Sequence, residues 1–230
     1  PRINVRNMPG AGGVVLANHL YNLAPKDGTE IAALEAGTAF TPILNGAPVN
    51  FEPSKFGWLG SLDRFVPMVI VWHDKPFFSF EDVKQKPMSV PGSGVGSTTT
   101  GYAYSLNAFL GAKMKVVNGY PGSTGVDMAV ERGEVQGFMG PDWGFMKVTR
   151  GEWLREKKIR VLLQATLKRH PELADVPSAM EFASDENRDV LALLIGRQTY
   201  GGLFLAPPGM PEKSVATLKE AFAAMTASEA

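Results

Sequence analysis

Four short glycine turns, three of them also carrying serine or threonine, recur along the chain, each after an apolar run with strand character and before a segment with helical periodicity. They are Gly10-Ala-Gly-Gly13, Gly37-Thr38, Ser93-Gly-Val-Gly-Ser-Thr-Thr99 and Gly122-Ser-Thr124. Strand, glycine loop and helix in repeated alternation predict an α/β fold with a parallel-rich sheet flanked by helices. The first turn of each helix leaves backbone N–H groups without partners and carries partial positive charge, which favours a carboxylate or phosphate. Glycine permits close approach, and the hydroxyls add donors. No lysine or arginine lies in these loops, so an anion held there is neutralised by backbone dipoles. Taken singly, each turn is better explained as a bend and helix cap of any α/β protein, and it is the fourfold repetition that brings the anion-binding reading level with it.

Charge and composition remove several other classes of function. Lys plus Arg number 23 and Asp plus Glu also 23, leaving no basic surplus to attract nucleic acid. Cysteine is absent, which eliminates disulfides, thiolate nucleophiles and cysteine-based zinc sites and fits cytoplasm or periplasm equally. The longest apolar stretches, Phe65 to Trp72 and Val190 to Gly196, fall far short of the roughly 20 residues of a membrane helix. Pro1 to Asn7 alternates like a strand already under way, with Ile3 to Val5 at its centre, so residues before Pro1 are expected.

Expected strands cover Ile31 to Leu34, Val66 to Trp72, Met88 to Val90, Met114 to Val117, Val135 to Met139, Ile159 to Gln164 and Tyr200 to Leu205. The pattern restarts at Met88. That places a first lobe at 1–76 and 199–230 and an inserted second lobe at 77–198, with crossings at Trp72 to Pro76 and Thr199 to Leu203.

Enzyme signatures are missing. Gly92-Ser-Gly-Val-Gly96 lacks the spacing of a dinucleotide fingerprint, no Gly-Lys-Ser/Thr phosphate loop occurs, and Ser97 and Ser123 sit in no Gly-x-Ser-x-Gly elbow. His19, His73 and His170 have no metal-binding spacing. Asp127 and Glu131 read as a solvated helix face. Asp142, beside Trp143, is either a ligand acceptor or a helix N-cap, and Tyr120 and Trp143 either accept a ring or pack. No catalytic residue, cofactor or metal is assigned.

Six motifs in order, Asn7-Met-Pro-Gly-Ala-Gly-Gly13, Ala24-Pro-Lys-Asp-Gly-Thr29, Pro91-Gly-Ser-Gly-Val-Gly-Ser97, Tyr120-Pro-Gly-Ser123, Arg169-His-Pro-Glu-Leu-Ala-Asp-Val-Pro177 and Gly201 to Pro211, resemble the Bug (TctC) solute receptors of tripartite tricarboxylate transporters. The resemblance implies a two-lobed periplasmic-binding-protein fold that closes on a small carboxylate and hands it to membrane permease subunits. A monomeric periplasmic receptor is implied, with first-lobe contacts at Gly10, Ala11, Gly12, Gly13, Gly37 and Thr38. The second-lobe contacts implied are Ser97, Thr98, Thr99, Gly122, Ser123 and Asp142. Met139-Gly-Pro-Asp142 departs from the family pattern, and the first strand and glycine loop of complete members have no counterpart here. The alternative is the effector-binding domain of a transcriptional regulator with the same fold; an enzyme using Asp142 or a loop serine is a third reading.

Overall fold

The computed structural model describes residues 2–8, 13–34, 37–38, 41–42, 49–62, 64–92, 98–120, 122–196 and 200–228. The chain separates into two compact units, Pro1–Arg64 with Tyr200–Ala230, and Phe65–Thr199.

In the first unit, β1 (Ala32–Leu34) and β2 (Gly57–Ser61) both pair antiparallel with β8 (Leu203–Ala206), which lies between them. Alternation along these strands supplies two apolar faces. Helix α1 (Val14–Asn22) buries Ala17 and Leu20 against Ala32, Leu34 and Leu205. Helix α8 (Glu212–Ala227) lays Val215 and Leu218 beside Leu59 and Ala206. Phe222 of α8 occupies the place of the missing side chain at Gly60, where a Cβ would lie 2.3 Å from its ring. Two of the loop motifs pack together in this unit: Met210 lies against Gly28, and Lys26 against Gly209. Asp27 holds its turn by accepting from the Thr29 amide at 3.0 Å and hydroxyl at 2.6 Å.

The second unit centres on β3 (Pro67–Trp72), flanked antiparallel by β6 (Gly137–Asp142) and β7 (Ile159–Gln164). Val69 and Val71 join one buried cluster and Met68 and Ile70 another. The first face is covered by α2 (Phe80–Gln85), α3 (Thr98–Leu110) and α7 (Arg188–Gly196), through Phe80, Val83, Tyr102, Leu106, Leu191 and Ile195. The other face is covered by α5 (Trp143–Thr149) and α6 (Gly151–Arg155), through Met146 and Trp153. Beside this layer, β4 (Met88–Gly92) and β5 (Met114–Asn118) form a parallel pair, and α4 (Gly122–Glu131) packs against β4. Among the described residues no helix is long and apolar enough to cross a membrane.

Three expectations are revised. Parallel pairing holds for β4 and β5, whereas the other described ladders are antiparallel. Continuous apolar runs such as Pro67 to Val71 report burial on both faces, and that burial comes equally from parallel neighbours or from helices on each side of an antiparallel sheet. The first crossing between units falls at Arg64 and Phe65, not Trp72 to Pro76. Arg160 of β7 explains why: its guanidinium binds the carbonyls of Lys75 at 3.0 Å, Phe77 at 2.9 Å and also His73, fixing that loop to the second unit. Arg2 to Met8 carries no regular secondary structure; Ile3 is 93% exposed, and no described strand pairs with it.

The Arg169-to-Pro177 motif is a folding device. Buried Gln164 donates to the carbonyls of Leu173 (2.9 Å) and Val176 (2.7 Å) and accepts from the His170 amide (2.6 Å). Arg169 grips Glu181 with two bonds, at 2.7 and 2.6 Å, and Glu181 also accepts the Ser178 amide at 2.8 Å. Those bonds, first of all the one from Arg169, hold the Glu181 carboxyl down at about 2 against an ordinary 4.5. Because the folded state binds this proton less readily than the unfolded chain, the stabilisation is complete above pH 4.5 and is lost as pH falls toward 2. In acid titrations followed by circular dichroism, Glu181→Gln is expected to flatten that loss; an unchanged acid limb contradicts it.

Packing at glycine makes a second prediction. A Cβ at Gly137 would lie 2.3 Å from the Ile70 carbonyl oxygen, whereas nothing lies within 4 Å of one at Gly101 in α3. Gly137→Ala is expected to cost about 1–3 kcal/mol, and Gly101→Ala to add about 0.4–1 kcal/mol. Equilibrium urea unfolding gives both values, and equal effects contradict the packing.

Candidate functional site

The parallel register sets Gly92, the last residue of β4, opposite Asn118, the last of β5. Strand β6 runs beside β4, the Ser89 amide donating to the Gln136 side chain at 2.9 Å and the Gln136 amide to the Ser89 carbonyl at 3.0 Å. Farther along, Gly92 of β4 and Gly140 of β6 both come against the first turn of α3, at Thr100 and Thr99, so the two strands point the same way. The carboxyl ends of β4, β5 and β6 therefore come to one side, and the amino end of α3 starts there. Open α/β sheets bind ligands at such strand ends.

Two glycines seat the helix against the strands. Gly140 in β6 has φ +110°, and a Cβ there would lie 2.6 Å from Cγ2 of Thr99 and 3.3 Å from its Cα. A Cβ at Gly92 would meet Asn118 Oδ1 at 2.6 Å, Val116 Cγ1 at 2.6 Å and Thr100 Oγ1 at 2.8 Å. Thr100 is buried and Asn118 exposed, so a buried hydroxyl and an exposed amide flank one backbone point. A larger residue at 140 would press on the first turn of α3 at Thr99, and one at 92 would displace the side chains of Asn118, Val116 and Thr100.

The first unit repeats the device. Gly13, with φ +88°, immediately precedes α1, and a Cβ on it would lie 2.6 Å from Oγ1 of buried Thr38. Gly37 and Thr38 are helical, with open space where a Gly37 side chain would be. The first two glycine turns thus meet through Gly13 and Thr38. Gly10, Ala11, Gly12 and Ser97 lie outside the described residues. Thr98 opens α3, and Gly122 and Ser123 open α4.

Asp142 has a different occupation. Its Oδ1 accepts the Phe145 amide at 2.8 Å as N-cap of α5, and its Oδ2 accepts the Val66 amide at 2.7 Å. Both oxygens serve the fold, so the N-cap reading accounts for this residue. Asp127 is turned largely into the protein, whereas Glu131 stays exposed as a solvated face requires. Asp127 pairs with Arg150, and burial pushes its carboxyl above the ordinary range against the opposing pull of that guanidinium. Glu131 accepts from Trp153 Nε1 at 2.9 Å. Trp143 packs with Val66 and Met68 and donates to Glu172 at 2.8 Å. Tyr120 rests on Val130 and Val135, and burial raises its phenol.

The histidines are likewise structural or peripheral. His19 meets Glu30 at 2.6 Å, and His170 caps the Pro171–Leu173 turn. Among the described residues no group of three histidine, aspartate or glutamate side chains is placed to hold a metal. The residues that sequence reasoning missed are Gly92, Thr100, Asn118 and Gly140. Their one sequence signal is position at strand ends, visible only once the ends of β4, β5 and β6 are known to converge.

No protein-family model and no curated protein matches the chain. Solved structures do. A TctC solute-binding protein from Polaromonas, without ligand, superposes with a TM-score of 0.70 at 17% identity, over 97% of this chain and 73% of the other. MatC from Rhodopseudomonas palustris with bound malate gives 0.67 at 22%, covering 99% and 74%. A further R. palustris protein with adipate gives 0.66 at 22%, covering 96% and 71%. The chain has the α/β fold of the TctC- and Bug-type periplasmic solute-binding proteins.

Because Gly13 and Gly140 combine positive φ with a close threonine, Gly13→Ala and Gly140→Ala are each expected to cost about 1–3 kcal/mol. Thermal unfolding of the two variants checks this, and transitions equal to wild type contradict the close approach.

Proposed function

We propose that the protein is a receptor of the Bug family that captures a small carboxylate between its two lobes and releases it unchanged. The observation that carries this reading is the glycine–threonine seat repeated in both units, Gly13 with Thr38 and Gly140 with Thr99, in a fold shared with proteins solved with malate and adipate. Gly10 to Gly13, Gly37 and Thr38 supply first-lobe contacts, and Ser97 to Thr99, Gly122 and Ser123 supply second-lobe contacts. Gly92, Thr100 and Gly140 join them. Asp142 is left out because its oxygens hold two backbone amides.

The chemistry suits an acid. Backbone amides at helix starts contribute about 0.3–1 kcal/mol each at exposed sites and more when partly buried, and they need no proton transfer or reorganisation. A carboxylate held this way is bound, not converted, so the protein is read as a receptor rather than an enzyme. Delivery to the membrane permease subunits of a tripartite tricarboxylate-type transporter, and a periplasmic location, follow from the same reading. Lobe closure then selects the liganded form, because only that form engages both sets of turns.

Calorimetric titration with a panel of mono-, di- and tricarboxylates, sugars and neutral amino acids is the test. At least one carboxylate is expected to bind at one site per chain, raise the unfolding temperature and be recovered intact. Binding of a sugar alone, or consumption of the acid, overturns the proposal.

A further inference from the structure

The sequence contains two Asn-Gly pairs, Asn45-Gly46 and Asn118-Gly119, and the second stands at the strand ends described above. Asn118 is exposed, and its Oδ1 lies 2.6 Å from the Cβ position of Gly92, near buried Thr100. Gly119 is exposed as well, has φ +111°, and has nothing within 4 Å of where a side chain would be. No side chain of residue 119 therefore crowds the backbone nitrogen after Asn118. Other asparagines are held or followed by bulkier residues: Asn107 exchanges two bonds of 2.8 Å with Met114, and Asn187 donates to Phe109 and precedes Arg188.

We infer that Asn118 is a self-modification site, where conversion to aspartate or isoaspartate adds a negative charge beside Gly92 and Thr100 and closes the site to anions. The Gly119 amide nitrogen attacks Cγ of Asn118. The new C–N bond forms as the bond from Cγ to the side-chain amine breaks, and ammonia leaves carrying the amide proton. One water then opens the five-membered imide at either carbonyl, giving the α- or β-linked carboxylate. Water is consumed and ammonia released, with no change in oxidation state. Glycine favours this step because it places no side chain against the attacking nitrogen and allows the backbone rotation required, and asparagine is among the thermally labile residues. The effect on ligand binding rests on the receptor reading; the modification itself does not.

The consequence is electrostatic. A new carboxylate within a few ångströms of a bound acid sets like charges together where the loops offer no compensating lysine or arginine.

The test ages the purified full chain in mildly alkaline buffer and follows tryptic peptides by mass. The peptide Val116 to Arg132 is expected to gain one mass unit and to yield two products, aspartate and isoaspartate, whereas Asn118→Gln leaves it unconverted. An unconverted wild-type peptide, with the Asn45 peptide converting in the same sample, overturns the inference. Malate titrated into fresh protein, the aged fraction and Asn118→Asp is expected to bind the latter two at least about tenfold more weakly. Equal affinity overturns the charge effect while the mass result stands. Fresh protein that binds no malate counts against the receptor reading alone, and the peptide masses still decide the chemistry.

Discussion

The contact on which the rest depends is one that a side chain would forbid. Helix α3 begins where β4 and β6 end because Gly92 and Gly140 carry no Cβ, letting Thr99 and Thr100 come within ordinary contact of strand backbone. Gly13 and Thr38 make the same close approach in the first unit. The strain of positive φ at Gly13 and Gly140 is cheap for glycine and costly for any other residue. What results is a helix start with its N–H groups held beside strand ends, backed by a core that fixes both partners.

That core divides labour between packing and polar ties. Two apolar faces of β3 anchor α2, α3 and α7 on one side and α5 and α6 on the other. Gln164, Arg160, Arg169 and Asp142 then spend their polar atoms on backbone carbonyls, amides and a neighbouring carboxylate. Asp142, at the end of β6, is thereby committed to structure. Backbone amides at helix starts are the groups that suit a carboxylate.

Much of this was legible in the sequence, and the failures share a cause. Ile159 to Gln164 forms a strand as its apolar run predicts, and the runs from Val66, Met88, Met114 and Val135 give β3 to β6 with small shifts at their ends. Strand β2 escaped notice because Gly57 and Gly60 break its apolar pattern; Gly60 is needed so that Phe222 can lie on the strand. Strand direction was misread because burial on both faces leaves the same apolar run in parallel and antiparallel settings. The unit boundary was misread because a loop with Lys75-Pro76 looks like a crossing, while its real anchor, Arg160, lies far along the chain. For the site, serine and glycine composition pointed to Thr99 and Thr38. Gly92, Asn118 and Gly140 needed the convergence of three strands, and Asp142 needed its two amide partners, to be read correctly.

The most direct test is a crystal structure of the protein with the tightest-binding acid of a carboxylate series. The account predicts a carboxylate of that acid accepting hydrogen bonds from the first-turn amides of α3, beside Gly92 and Gly140. An acid gripped instead by lysine or arginine side chains, with those amides facing elsewhere, would contradict it.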